Sequence, residues 1–110
     1  DAERRLYVAT LDPAFEDRLR AGMEHSERGI QVRLSPAAVE ATCQSIAVEI
    51  EKLARENHSP IVLVSPQIRP GLKQLTEPHL PQLIVLSYNE ITRDTKIESV
   101  GMINDPIPQA

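Results

Sequence analysis

The sequence predicts a small α/β domain: one short sheet with at least two parallel central strands and about three helices packed on it. Three observations lead there. Residues 60–64 (PIVLV) and 83–86 (LIVL) are short unbroken apolar runs, the pattern of strands covered on both faces. Three cap-plus-proline pairs, Asp12-Pro13, Ser35-Pro36 and Ser65-Pro66, each stand at the head of a helical segment. Strands and helices therefore alternate along the chain, and two apolar strands joined by a helix should run parallel with a right-handed crossover.

Taken in order, residues 6–11 (LYVATL) read as a strand, rich in types that suit a pleated, half-buried surface. Asp12 is placed to cap the next helix and Pro13 to occupy its first position. Phe15, Leu19 and Met23 then recur every four residues and predict one apolar helical face, with Gly22 and Gly29 bracketing its end and the loop beyond. Residues 31–34 read as a short edge strand or as extended chain. The strongest helix runs from about residue 35 to 57, with Val39, Cys43, Ile46, Ala47, Ile50, Leu53 and Ala54 on its inner stripe. Glu40, Gln44, Glu49, Lys52 and Glu56 take its other side. After the 60–64 strand, Pro70 stands too far from Ser65-Pro66 for a regular start, so a bent entry is expected, with the helix proper beginning near Pro70. Leu72 and Leu75 face inward, and Pro78 and Pro81 end the element. The 83–86 strand reads as buried, and after a polar turn an alternating strand covers residues 96–103. Residues 1–104 form one domain and 105–110 a loose tail. Ile46, Ile50, Leu63 and Val85 are expected to be nearly fully buried in one contiguous cluster.

Composition narrows the function classes. Folding 110 residues buries roughly two thirds of the surface of the unfolded chain. With Phe15, Tyr7 and Tyr88 the only aromatics, the core must be aliphatic. A net charge of -4 and the lack of a basic stripe with stacking aromatics argue against nucleic acid as a partner. The adjacent Arg4 and Arg5 read as solvation. The single cysteine, Cys43, falls on a helix's apolar stripe, where a buried inert thiol fits a reducing compartment. No apolar run is long enough to span a membrane, and the opening residues lack the apolar stretch of a signal peptide. The chain does not open on methionine and is expected to be a fragment or a processed product.

Catalytic and metal chemistry finds no constellation. His25, His58 and His79 are scattered without ligand spacing, and a register-buried Cys43 lacks the exposure and basic neighbour of a nucleophile. Ser65 follows a strand where α/β folds often place functional residues, yet it lacks the glycines of a nucleophile elbow and reads as a cap. The four glycines never cluster into a phosphate loop. Glu24, Glu27, Glu49 and Glu51 read as solvated charges. The expectation is a protein that is not an enzyme, with no metal and no cofactor.

Residues 60–70 (PIVLVSPQIRP), Leu72, Leu75, Leu80-Pro81 and residues 83–91 (LIVLSYNEI) resemble the last cytoplasmic subdomain of the type III export-gate family, the family of FlhA. Leu11-Asp12-Pro13 and the helix after it fit the same pattern. Residues 87–91 together with 97–102 lean to the flagellar branch over the injectisome branch. The resemblance covers nearly the whole chain and is sharpest over 60–102. It implies a larger protein with membrane-spanning helices upstream and a cytoplasmic portion on the bacterial inner membrane. That portion forms a homo-oligomeric, nonameric ring that receives export substrates and their chaperones alongside other export-apparatus proteins. This chain would be a mobile docking and ring-forming element, without the main chaperone groove. Alone it should bind chaperones weakly and stay monomeric. Arg69, Asn89, Glu90 and Arg93 are then the candidate contact residues, set against a reading as local capping and turn chemistry. The alternative class is a receiver-like α/β ligand module, which needs a cluster of acidic residues at strand ends. Neither the 6–11 strand nor the 61–64 strand ends that way.

Overall fold

A four-stranded parallel sheet, its strands side by side in the order 84–87, 61–64, 4–11 and 95–103, organises the chain. It is built from β1 (Arg4–Leu11), β4 (Ile61–Val64), β5 (Ile84–Ser87) and β6 (Thr95–Ile103). Between β1 and β4 come α1 (Pro13–Ala21), β2 (Met23–Ser26), β3 (Gly29–Val32) and α2 (Pro36–Arg55); α3 (Arg69–Thr76) joins β4 to β5. β2 and β3 pair as a separate antiparallel hairpin. The computed structural model describes residues 4–27 and 29–106. Of the loose tail expected over 105–110, residues 107–110 lie outside the described residues.

Handedness decides which face each connection covers. The steps β1 to β4 and β4 to β5 move the same way across the sheet, so right-handed crossovers put their helices on one side. The return from β5 to β6 moves back across two strands, so it crosses the opposite face. The burial pattern agrees. Ala9, Leu11, Val62, Val64 and Val85 join Phe15, Leu19, Ile46, Leu53 and Leu72 in the main core. The alternate strand residues Val8, Ile61 and Leu63 form a second cluster on the other face, closed by Leu6, Leu86 and Ile91. Ile91 belongs to the returning segment, residues 88–94, which acts as a strap.

Several expectations about the elements hold. Ser35 caps α2, its hydroxyl accepting from the Ala38 amide at 3.1 Å, and Pro36 follows as the first helical residue. The bent entry to α3 is present, with turns over 66–68 before the helix begins at Arg69. Every residue of β4 is buried.

Others are corrected. Leu63 is fully buried but belongs to the strap-side cluster, so it is not contiguous with Ile46, Ile50 and Val85. Met23 continues the spacing of α1, but the helix stops at Ala21 and Met23 opens β2, buried against α3. β5 is an edge strand, not a strand covered on both faces: Ile84 is exposed and Leu86 half-buried. Asp12 holds the N-cap position of α1 without a side-chain cap bond. Its backbone ties in instead, the amide donating to the Ile103 carbonyl at 2.9 Å. The cap position of α3 belongs to Ile68, so Ser65 opens the preceding turn and does not cap the helix. On α2, Ala54 is exposed, Ala38 and Thr42 are buried, and Glu49 is half-buried beside Gly101 of β6. Beyond β6, Asp105 pairs with Arg18 of α1 at 2.6 Å, with side-chain exposures of 9% and 17%.

Candidate functional site

Parallel sheets of this kind present their connecting loops at the carboxyl ends of the strands, and that is where the charged groups gather. β5 ends at Ser87, and a single 3-10 turn over Tyr88–Glu90 starts the strap. The turn closes as a capping box. The Glu90 carboxylate accepts from the Ser87 amide at 3.0 Å and from the Ser87 hydroxyl at 2.9 Å. Asn89 Oδ1 approaches the same hydroxyl, which has one hydrogen to share between the two acceptors. The Arg69 guanidinium, at the first position of α3, contacts the Glu90 carboxylate from the other side. The Ser87 amide, then its hydroxyl, and in addition the Arg69 charge hold the Glu90 carboxyl below its ordinary value. The charged pair is half-exposed and thus open to a partner.

A second set of charges stands at the end of β4. Glu16 on α1 accepts from the Ser65 amide at 3.2 Å. Arg20, one turn on, reaches Asp17 at 2.7 Å, the Ser65 hydroxyl at 3.4 Å and Glu16 at 4.0 Å. Tyr88 links the two sets. Half of its surface is exposed, and partial burial, with the Glu16 charge adding, pushes its phenol up. The result is an alternating array of arginine and carboxylate side chains around an exposed tyrosine, suited to recognition by a polar protein surface.

The four candidate contact residues are thus split. Arg69, Asn89 and Glu90 come together. Arg93 does not: it sits exposed in the turn before Thr95, and Thr95 pairs with Arg4 at the start of β1. Seven residues of β1 separate that end from the level of Ser87, so Arg93 lies ~23 Å away along the sheet. Sequence reasoning missed Glu16, Arg20 and Tyr88. The spacing of Glu16 and Arg20 shows a shared helix face, but nothing in it shows that the face meets Ser65.

The other titratable candidates remain apart. His25 is exposed on β2 and His79 exposed after α3. His58 stacks on Tyr7 with ring centroids 4.0 Å apart. Cys43 is buried in the main core, and burial pushes its thiol up. Among the described residues, no group of three His, Cys, Asp or Glu stands close enough to hold a metal ion. Among the same residues, no helix is long and apolar enough to cross a membrane. Shallow clefts of about 290 Å3 beside Tyr7 and His58, and about 280 Å3 between α2 and Leu80, lie away from the carboxyl-end array.

Comparison with known proteins gives a consistent picture. The sequence model of the FHIPEP family matches residues 1–96. The flagellar biosynthesis protein FlhA of Bacillus subtilis (strain 168) is 34% identical over 99 residues, which cover 90% of this chain and 15% of that protein. The low calcium response locus protein D of Yersinia pestis is 30% identical over 93 residues, covering 84% of this chain and 13% of that protein. Among solved structures, nonameric EPEC SctV-C aligns with a TM-score of 0.73 at 20% identity, covering 91% of this chain and 29% of that one. That last likeness bears on the fold alone. The chain spans about a seventh of the length of these curated relatives.

Proposed function

The chain belongs to the FHIPEP family, and from that premise we propose that it is the last cytosolic subdomain of a flagellar export-gate protein, a docking element with no catalytic chemistry of its own. In this reading it forms part of a homo-oligomeric, nonameric ring at the cytoplasmic face of the bacterial inner membrane. The ring receives export substrates and their chaperones. The observation that carries the reading is the likeness to a flagellar FlhA across nine tenths of the chain. The geometry is compatible with it: a small stable sheet domain presents a half-exposed charge array at one end. A receiver-like module is not favoured, because β1 ends at Leu11 and is followed by a single aspartate, Asp12, and a helix-opening proline, while β4 ends at Val64 and is followed by Ser65. Because the main chaperone groove belongs to other subdomains in this reading, the isolated domain binds chaperones weakly and is monomeric at micromolar concentration.

Deleting the domain from the protein that carries it is expected to abolish motility and flagellar secretion. Intact secretion after clean deletion would sink the reading. Within the domain, Arg69→Glu and Glu90→Arg separate contact from scaffolding. If the two side chains only hold each other, the double reversal restores whatever the single variants lose. If they meet a partner, single and double variants all lower secretion while the melting temperature barely moves. Unchanged motility in folded variants removes both as contact residues.

A further inference from the structure

At the carboxyl end of the sheet, α1 ties together the strands on either side of β1. It begins one residue after β1, which lies between β4 and β6. On one flank, the Glu16 carboxylate accepts from the Ser65 amide just beyond β4. On the other, Arg18 Nε donates to Asp105 Oδ2 just beyond β6. Residues 16 and 18 stand about 200° apart around a helix, so the two ties leave opposite flanks. They hold different things. Ser65 opens a hydrogen-bonded turn, its carbonyl accepting from the Ile68 amide at 3.2 Å, and that turn runs straight into α3. At the other tie, β6 stops at Ile103, whose side chain lies in the main core and whose carbonyl accepts from the Asp12 amide. Residues 104–106 follow without helix or strand, Asn104 is exposed, and Pro106 has no amide to donate.

We propose that Arg18 and Asp105 form a latch, a conformational device that opens while the sheet stays folded and moves residues 104–106 between a docked and a released position. The balance of forces on the pair sets the latch near its opening point. Burying two charges costs about as much as their attraction returns. Arg18 carries a further penalty, because its Nη2 is buried and makes no hydrogen bond among the described residues. Its guanidinium lies 5.3 Å from the ring centroid of Phe15, which is fully buried. Opening lets both charges rehydrate while Ile103 keeps its place in the core, so it costs less than unfolding the sheet. It also changes a surface. Asn104 forms part of the wall of a shallow cleft of about 250 Å3 with Ser45, Val48 and Met102. Val48 and Met102 are 55% and 51% exposed, so release of Asn104 widens an apolar cleft between α2 and β6. The latch stands on this geometry alone and is independent of the family reading above.

A protease that cuts on the amino side of aspartate tests the latch in this chain. The bond between Asn104 and Asp105 reports on the latch, the bond between Arg93 and Asp94 on an exposed turn of the strap, and the bond between Leu11 and Asp12 on the end of β1. Arg18→Met keeps an unbranched side chain over Phe15 and removes the charge. It is expected to speed cleavage at Asp105 at least tenfold and to leave cleavage at Asp94 and Asp12 within twofold. An unchanged rate at Asp105 overturns the proposal. Equal acceleration at Asp12 also overturns it, because the pair then holds the whole domain and not one segment. Should Arg18→Met fail to fold, the unsubstituted protein gives a second measurement. Below the unfolding transition, urea should raise cleavage at Asp105 only shallowly, because opening a short segment exposes little surface. Cleavage at Asp12 should rise steeply, since it needs β1 to leave the sheet. Equal steepness at the two bonds overturns the latch.

Discussion

One side of the sheet is a core and the other is a covered surface, although the same four strands supply both. On the helix side, side chains from three helices interdigitate with alternate strand residues, and Phe15, Leu19, Ile46 and Leu72 are fully buried. On the strap side, three buried residues lie under seven residues of irregular chain that contribute one apolar side chain, Ile91, to the cluster. The contrast shows how a small domain divides its labour. The helix layer supplies the larger core, while the strap covers the other face thinly and its charged end stays half-exposed.

Core truncations on the two sides should break this contrast if it is wrong. Phe15→Ala on the helix side is expected to cost about 3–5 kcal/mol, and Leu63→Ala on the strap side about 2–5 kcal/mol, since both leave a cavity. The second cost should fall toward the low end, because a strap held by one apolar side chain can sink into the space that Leu63 vacates. Chemical denaturation with an unchanged denaturant slope measures both. A Leu63→Ala cost under ~1 kcal/mol would show that β4 is not covered on its second face.

The hairpin sharpens the comparison at a smaller scale. Gly71 opens α3 to the sulfur of Met23, and a Cβ there would stand 2.5 Å from Met23 Sδ and 2.8 Å from its Cε. Gly71→Ala gains about 0.5–1 kcal/mol of helix preference but must displace Met23 and with it β2. A net loss of about 1–2 kcal/mol is expected from this overpacking. Met23→Ala in the same background should recover much of it, whereas a net gain for Gly71→Ala alone would mean that the hairpin rides loosely on α3.

These sites also mark what the sequence makes legible. α2 and β4 could be read because each signal is local: a serine cap before proline, a helical stripe, an unbroken apolar run. The β2–β3 hairpin could not, because Met23 falls four residues after Leu19 and extends a helical spacing that the chain leaves at Gly22. Gly29, with φ +110°, marks the turn side of that hairpin, but a lone glycine does not distinguish a hairpin from a loop. The buried run at residues 61–64 announces two covered faces without saying that helices cover one and a strap the other. That asymmetry follows from strand order, which the spacing of residues does not encode. The site was legible in part for the same reason. Asn89 and Glu90 are neighbours in sequence, Arg69 joins them only through the fold, and Arg93 is carried to the far end by the length of the strap.

The smallest effect expected is electrostatic and belongs to the start of the strap. Glu90 is held below its ordinary carboxyl value of 4.5, first by the Ser87 amide and then by the Ser87 hydroxyl, with Arg69 adding. A carboxyl whose pKa is lower in the folded than in the unfolded state favours folding when ionised. Its contribution is therefore complete above the unfolded value. It declines as pH falls below about 4.5 and is gone once pH passes below the lowered folded value. Glu90→Gln removes the charge but keeps an acceptor for the Ser87 amide. The melting temperature of the unsubstituted protein should exceed that of Glu90→Gln by a small margin at neutral pH, and the two curves should converge on acidification below that point. Arg69→Gln should narrow the margin without abolishing it, because the Ser87 bonds lead and the arginine follows. A margin that stays constant down to pH ~3, where an ordinary carboxyl is already protonated, would mean that the capping box and not the carboxylate charge fixes the strap to β5.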